Sequence, residues 1–309
     1  MDTFLQQLIN GLTLGAVYAM VALGYTMVYG IIQLINFAHG EVVMIGTMVA
    51  FTVIGWLASA GIGLPPSAIV ALSACAAVPV CVAVAYLMER VAYRPLRGAP
   101  RLAPLITAIG ISIILQHVAM LIWSRNPLAF PQILDNRVFE VAGATLTSVQ
   151  IAIWIVATVM MSALTYLVYR TRLGIAMRAT SQSPQVAGLM GIDIDRVIAA
   201  TFAIGALLAA VAGVMVGTYY GIAHYTMGSL LGLKAFCAAV LGGIGNIPGA
   251  MLGGILLGLV EALGAGYIGD FTNNWFGSNY QDVFAFIVLI LVLVFRPSGL
   301  LGERVGDRA

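Results

Sequence analysis

The sequence predicts an all-α, polytopic integral membrane protein with about eight or nine spanning helices, some of them broken. Three observations carry that reading. Hydrophobic residues fill 61% of the 309 positions and charged residues only 8%, whereas soluble domains carry roughly a quarter charged positions. The apolar residues gather into runs of bilayer length, about 20 residues being needed for each crossing. The basic residues cluster between those runs rather than within them. A single membrane domain over residues 1–309 is the expectation.

Taken in order, the runs fall at about 8–31, 40–59, 67–88, 103–124, 147–169, 197–220, 227–241, 247–268 and 281–295. Eleven of the thirteen arginines lie in three stretches: Arg90, Arg94, Arg97 and Arg101; Arg170, Arg172, Arg178 and Arg196; and Arg296, Arg304 and Arg308. The positive-inside rule assigns all three to the cytoplasm. Arg125 and Arg137 share their loop with Asp135 and Glu140, and Gly269 to Asp282 carries only acidic charges, so both segments belong outside. Counting runs then puts the N-terminus outside as well. The run from Met227 to Leu241 covers only about two thirds of a 30 Å core. A segment that dipped in and returned would put the C-terminal tail on the wrong side, so it is expected to cross as part of a broken helix.

Other features narrow the class. A net charge of +2 without one long basic tract gives no reason to expect nucleic-acid binding. Cys75, Cys81 and Cys237 sit inside apolar runs without metal-ligand spacing, which predicts packing rather than a metal site or disulfides. No basic residue precedes the first apolar run, so that run is expected to remain in the mature protein as a span.

Polar residues at membrane depth are the candidate site. Asn36, His39 and Glu41 stand between the first two runs with almost no linker, and His224 and Thr226 stand just before the short seventh run. Polar interruptions in both halves suggest paired broken helices around a central path, because freed backbone groups in a membrane need protein or water to satisfy them. An interfacial loop in which Glu41 helps to start the next helix accounts for the first interruption equally well. Lys234, the chain's one lysine, lies inside an apolar run. There it must snorkel, pair or face water, and Glu261 in the next run is a candidate partner. His117 is expected to be a hydrogen-bonded packing residue. Glycines such as Gly242, Gly249, Gly253, Gly254 and Gly258 have the spacing that lets helix backbones approach closely in lipid.

The longest cytoplasmic connection, about 170–196, contains a short helix signal. Ser183 can cap, Pro184 suits the first helical position and Gly191 can stop the helix. Gln185, Val186, Ala187, Gly188, Leu189 and Met190 lie between, with Val186, Leu189 and Met190 on one face. A two-turn helix has little stability of its own and needs a partner surface, either lipid or a groove on a cytoplasmic protein. The chain has no phosphate-binding loop of its own, since Lys234 is followed by Ala235 and Phe236 rather than by a hydroxyl residue. No HExxH or GxSxG arrangement appears either, so no catalytic residue is assigned.

Four segments together resemble the permease subunits of branched-chain amino acid (leucine, isoleucine and valine) ABC transporters. They are Leu23 to Gly30 (LGYTMVYG), Ile35 to Glu41 (INFAHGE), Ala239 to Ala250 (AVLGGIGNIPGA) and the tail Phe295 to Gly302 (FRPSGLLG). Nearly the whole chain takes part. The resemblance implies a bacterial inner-membrane importer made of this subunit, a second homologous permease, two cytoplasmic ATP-binding subunits and a periplasmic amino acid-binding protein. It implies no cofactor on this chain, ATP and Mg being used by the partner ATPases. It also places Pro184 to Met190 at the family's coupling-helix position, with Gln185 where the family usually carries an acidic residue. Relatives for urea or short amides share the pattern. The rival from another class is an ion-coupled secondary amino acid transporter with His39, Glu41, Lys234 and Glu261 as its relay.

Overall fold

A computed structural model describes residues 2–61, 63–100, 102–134, 137–141, 143–271 and 281–302. Arg101, Asp135, Arg304, Arg308 and residues 272–280 of the acidic segment lie outside the described residues. The described residues are mostly helical, with α1 (Asp2–Ile32), α2 (His39–Ser59), α3 (Pro66–Met88), α4 (Leu102–Ile122), α5 (Ser148–Arg170) and α6 (Arg172–Gln182). There follow α7 (Pro184–Leu189), α8 (Ile194–Tyr220), α9 (Met227–Gly242), α10 (Ile247–Phe271) and α11 (Gln281–Phe295). Each of the nine apolar runs therefore forms a helix. Seven of these helices are long and apolar enough to cross a membrane, while α9 and the apolar part of α11 are shorter. The fold is that of a polytopic all-α membrane protein.

Among the described residues two small ribbons interrupt the helices, and the hydrophobic runs gave no sign of them. β1 (Leu128–Ala129) pairs antiparallel with β4 (Ile222–Ala223), and β2 (Val138–Val141) with β3 (Ala144–Thr147). The first joins the segment after α4 to the segment after α8, a distant pairing that no local pattern encodes.

The residues cluster into two compact units. One contains residues 1–26, 136–161 and 234–309. Its frame is a glycine seam along which α1 and α10 run antiparallel: a Cβ on Gly15 would lie 2.6 Å from Ile255 Cα, one on Gly254 2.7 Å from Ala19 Cα, and one on Gly258 2.1 Å from Gly15 N. In lipid, where apolar side chains gain nothing by leaving solvent, such backbone proximity is what joins helices. α9 and α10 form a hairpin of the same kind, with Gly242 on Gly249 and Gly253 on Ala238. The turn between them needs a left-handed residue, supplied by Gly243 at φ 102°. The C-terminal tail folds back onto this turn. Leu300 N donates to Leu241 O at 2.9 Å, Leu301 N to Gly242 O at 3.0 Å, and Asn246 Nδ2 to Leu301 O at 2.9 Å. Two segments that stand far apart in the sequence, Ala239 to Ala250 and Phe295 to Gly302, are thus one structural feature.

The other unit contains residues 27–135 and 162–233. At its centre α2 crosses α8 where a Cβ on Gly213 would lie 2.4 Å from Val43 O, and Thr47 Oγ1 donates to Gly213 O at 2.7 Å. α3 ends in a π-helical turn, Glu89–Tyr93, and a 3₁₀ turn, Arg94–Leu96. These bring Arg94 and Arg97 onto Asp195 at the start of α8, with Arg97 also on Glu89. The first two basic stretches are side by side here, as expected if both face the cytoplasm.

The cysteines and His117 divide. Cys81 and Cys237 are buried as expected, whereas Cys75 is exposed on α3. His117 makes a hydrogen-bonding contact, Nδ1 to Ile113 O at 2.8 Å, but on the exposed face of α4 rather than in a packed one. Along an apolar helix, sequence alone does not say which face meets protein.

Candidate functional site

Each of the two polar interruptions breaks a helix. α1 ends at Ile32, with Gln33 left-handed at φ 56° and its N–H bonded to Tyr29 O at 2.8 Å. Asn36 then organises the restart. Its Oδ1 accepts from Ala38 N at 3.1 Å and from Tyr93 Oη at 2.8 Å, and its carbonyl accepts from His39 N at 3.0 Å. α2 begins at His39 with its first three residues, His39, Gly40 and Glu41, all buried. The second break follows Gly221, which ends α8 in a left-handed conformation. His224 Nδ1 lies 2.7 Å from Thr226 Oγ1 and its Nε2 3.3 Å from Arg125 O, and α9 begins at Met227.

The two restarts meet. A Cβ on Gly40 would lie 2.2 Å from Gly228 O and 2.8 Å from Gly232 Cα, and one on Gly228 would lie 2.6 Å from Gly40 O. The first turns of α2 and α9 touch backbone to backbone, with no room for a side chain between them. Asn36, His39, Glu41, His224 and Thr226 are therefore grouped in one unit around this seam.

Glu41 is the most unusual member. It is 0% exposed, and its Oε1 accepts from Ser112 Oγ at 2.9 Å and Gln116 Nε2 at 2.7 Å, both on α4. Its Oε2 has no hydrogen-bond partner and lies against Gly228, in the space a Cβ there would need. The N-terminal end of a helix carries positive partial charge, which favours a carboxylate there. Ser112 and Gln116 were not anticipated. Four residues apart, they share one face of α4, but nothing in the sequence says which helix α4 meets.

Lys234 belongs to the other unit and is differently placed. It is buried, with Nζ 2.7 Å from Glu261 Oε1, 2.6 Å from Asp282 Oδ1 and 3.3 Å from Tyr18 Oη. Tyr18 Oη in turn donates to Glu261 Oε2 at 2.9 Å. The partnership with Glu261 is as the sequence suggests. Tyr18 and Asp282 complete a cluster that ties α9 to α1, α10 and α11.

The segment 183–191 folds as its signals predict. Ser183 Oγ accepts from Val186 N at 3.3 Å, Pro184 occupies the first turn, and Gly191 ends the helix at φ 85° with Ile192 N bonded back to Ala187 O at 3.1 Å. Ala187 is buried, whereas Leu189 is 88% and Met190 80% exposed, with Val186 exposed beside them and Gln185 exposed too. The preceding helix α6, capped by Thr171 through Gly174 N at 3.1 Å, was not foreseen. The sequence Thr171-Arg172-Leu173-Gly174 carries the cap, but a glycine in the first turn masks it.

Comparison with known proteins gives one answer at each distance. The chain is 52% identical to the high-affinity branched-chain amino acid transport system permease protein BraD of Pseudomonas aeruginosa, over 97% of this chain and 96% of the relative. It is 47% identical to the permease protein LivH of Escherichia coli, again over 97% and 96%. At 25% it matches the ribose import permease protein RbsC of Escherichia coli, over 94% of this chain and 85% of the relative. No solved structure matches it. The family profile described as branched-chain amino acid transport system / permease component matches residues 7–293, and the chain belongs to that family.

Proposed function

We propose that the chain is a membrane-spanning permease subunit of an ATP-driven importer, and that it passes branched-chain amino acids delivered by a periplasmic binding protein across the bacterial inner membrane. One observation carries the coupling part of this reading: a capped two-turn helix whose apolar residues, Val186, Leu189 and Met190, stand exposed. An exposed Leu–Met pair on a rigidly stopped helix suits a groove on another protein better than it suits water. Two cytoplasmic ATPases supply that groove and use ATP with Mg, a second homologous permease completes the membrane part, and residues 1–309 act as a single permease domain. Segments 184–190 then pass the ATPase movement to α6 and α8, between which they are strung. The substrate class follows the names of the relatives at 52% and 47% identity.

The meeting of the α2 and α9 starts supports a path that closes at this seam, with Asn36, His39, Glu41, His224 and Thr226 around it. Lys234, fixed by two carboxylates, fits a structural post better than an ion relay, which disfavours the secondary-transporter reading.

The test is reconstitution. Proteoliposomes holding this chain with its partner permease and ATPases should take up labelled leucine only with ATP inside and loaded binding protein outside. Uptake by this chain alone under an ion gradient would overturn the reading. Leu189→Asp should abolish co-purification of the ATPases while the chain still inserts; normal assembly in that variant would show that the docking contact is elsewhere.

A further inference from the structure

The seam holds a carboxylate that the structure leaves half used. Glu41 has neutral partners at one oxygen, Ser112 and Gln116, and none at the other, although the residue is fully buried. A buried polar atom without a partner costs about 1–3 kcal/mol, more when charged, and such atoms persist where function uses them. Here the free oxygen lies against Gly228 in the first turn of α9, a helix of 16 residues whose N-terminal end offers positive partial charge.

We infer that the seam between the first turns of α2 and α9 takes the charged head group of the passing amino acid, the free oxygen of Glu41 accepting its ammonium group while the N-terminal end of α9 faces its carboxylate. This rests on the reading of the chain as an amino acid permease. When the two helix starts separate, Glu41 loses the first turn of α9 and keeps only Ser112, Gln116 and the start of its own helix, with its second oxygen still without a donor. An ammonium group arriving between the two starts supplies that donor through a charge-assisted hydrogen bond. The α9 end, released from Glu41, is left to attract an anionic group, as broken-helix ends do. A zwitterion supplies both opposite charges at once, whereas a neutral amide or a sugar offers only uncharged donors and acceptors. Gly40 and Gly228 serve the same step, since with no side chains the ends can close fully behind the solute.

The assembled importer in proteoliposomes tests this through leucine uptake and ATP hydrolysis measured together. Glu41→Gln keeps an acceptor for Ser112 and Gln116 but removes the charge. It should preserve ATP hydrolysis stimulated by the loaded binding protein while leucine delivered per ATP falls by about tenfold or more, and Glu41→Asp should recover part of the loss. Uptake within about twofold of wild type in Glu41→Gln, or a parallel fall of uptake and hydrolysis, overturns the inference. Should Glu41→Gln fail to assemble, the wild-type complex answers the question. Modification of Glu41 by dicyclohexylcarbodiimide, followed by peptide mass mapping during turnover, should slow when the binding protein carries leucine. An unchanged rate overturns the proposal. A wild-type complex without leucine uptake overturns the importer reading itself, which separates the two failures.

Discussion

Glu261 and Glu41 are both fully buried glutamates in apolar helices, one in each compact unit, and they are stabilised in opposite ways. Glu261 has a full positive charge at 2.7 Å, the Lys234 ammonium, and a phenol hydroxyl from Tyr18 on its second oxygen. Both of its oxygens have a partner, and the cluster joins four helices. Glu41 has a serine and an amide on one oxygen and nothing hydrogen-bonded to the other. Burial of charge is expensive in lipid-facing protein. A group whose two oxygens are both partnered acts as a rivet, whereas one with an oxygen that only a helix end faces is poised to take another partner there. The same residue type at similar burial therefore serves architecture in one unit and, on the inference above, passage in the other.

That contrast can be broken by mutation, beginning with the largest effect. Lys234→Met leaves Glu261 and Asp282 facing each other without their cation, and removing one partner of a buried pair costs about 3–5 kcal/mol. The variant should show a sharply lowered thermal unfolding midpoint in detergent. Pairing it with Glu261→Gln should restore part of the midpoint, because an uncharged amide no longer needs the ammonium. A double variant no more stable than Lys234→Met would show that the lysine acts by packing alone. Next in size is Gly228→Leu. A side chain there meets Glu41 Oε2 at 2.5 Å and Gly40 O at 2.6 Å, and overpacking of this kind costs about 1–3 kcal/mol. Unfolding measurements should show it, together with loss of uptake; an unchanged midpoint would mean that the two helix starts are not held together.

Smaller effects sharpen the comparison. Tyr18→Phe removes one hydrogen bond from Glu261 and should lower stability by about 1 kcal/mol, with uptake retained in proportion to the protein assembled. Ser112→Ala should cost a similar amount or less, about 1 kcal/mol, because Gln116 still donates to the same oxygen. If Ser112→Ala instead destabilises more than Lys234→Met does, the distinction between rivet and poised group fails.

Much of this was legible beforehand for reasons that can be named. A bilayer imposes length and apolarity on every crossing segment, so nine runs became nine helices. Local chemistry fixed the short helix Pro184–Leu189, since Ser183, Pro184 and Gly191 each act on the backbone next to them. The pairing of Lys234 with Glu261 was legible only as one of two readings, because an ammonium in an apolar run can find an anion or snorkel to a helix end, and the structure decides for the pair. By contrast, the apolar runs around Cys75 and His117 predict packing, yet both residues lie on exposed faces, because an apolar helix looks alike on the side toward protein and the side toward lipid. The partners of Glu41 escaped notice for the same reason.

The amino-acid sequence by itself determined the membrane class, the nine apolar helices, the two interruptions and the capped element before α8, all of which depend on interactions spanning a few residues or on transfer into lipid. Tertiary structure alone decided that the starts of α2 and α9 abut through Gly40 and Gly228, that the tail closes on the α9–α10 turn, and that one buried glutamate is paired and the other is not. Those outcomes depend on which helix faces meet. In a bilayer, where hydrophobic burial does not discriminate between faces, close backbone packing and a few polar contacts make that choice.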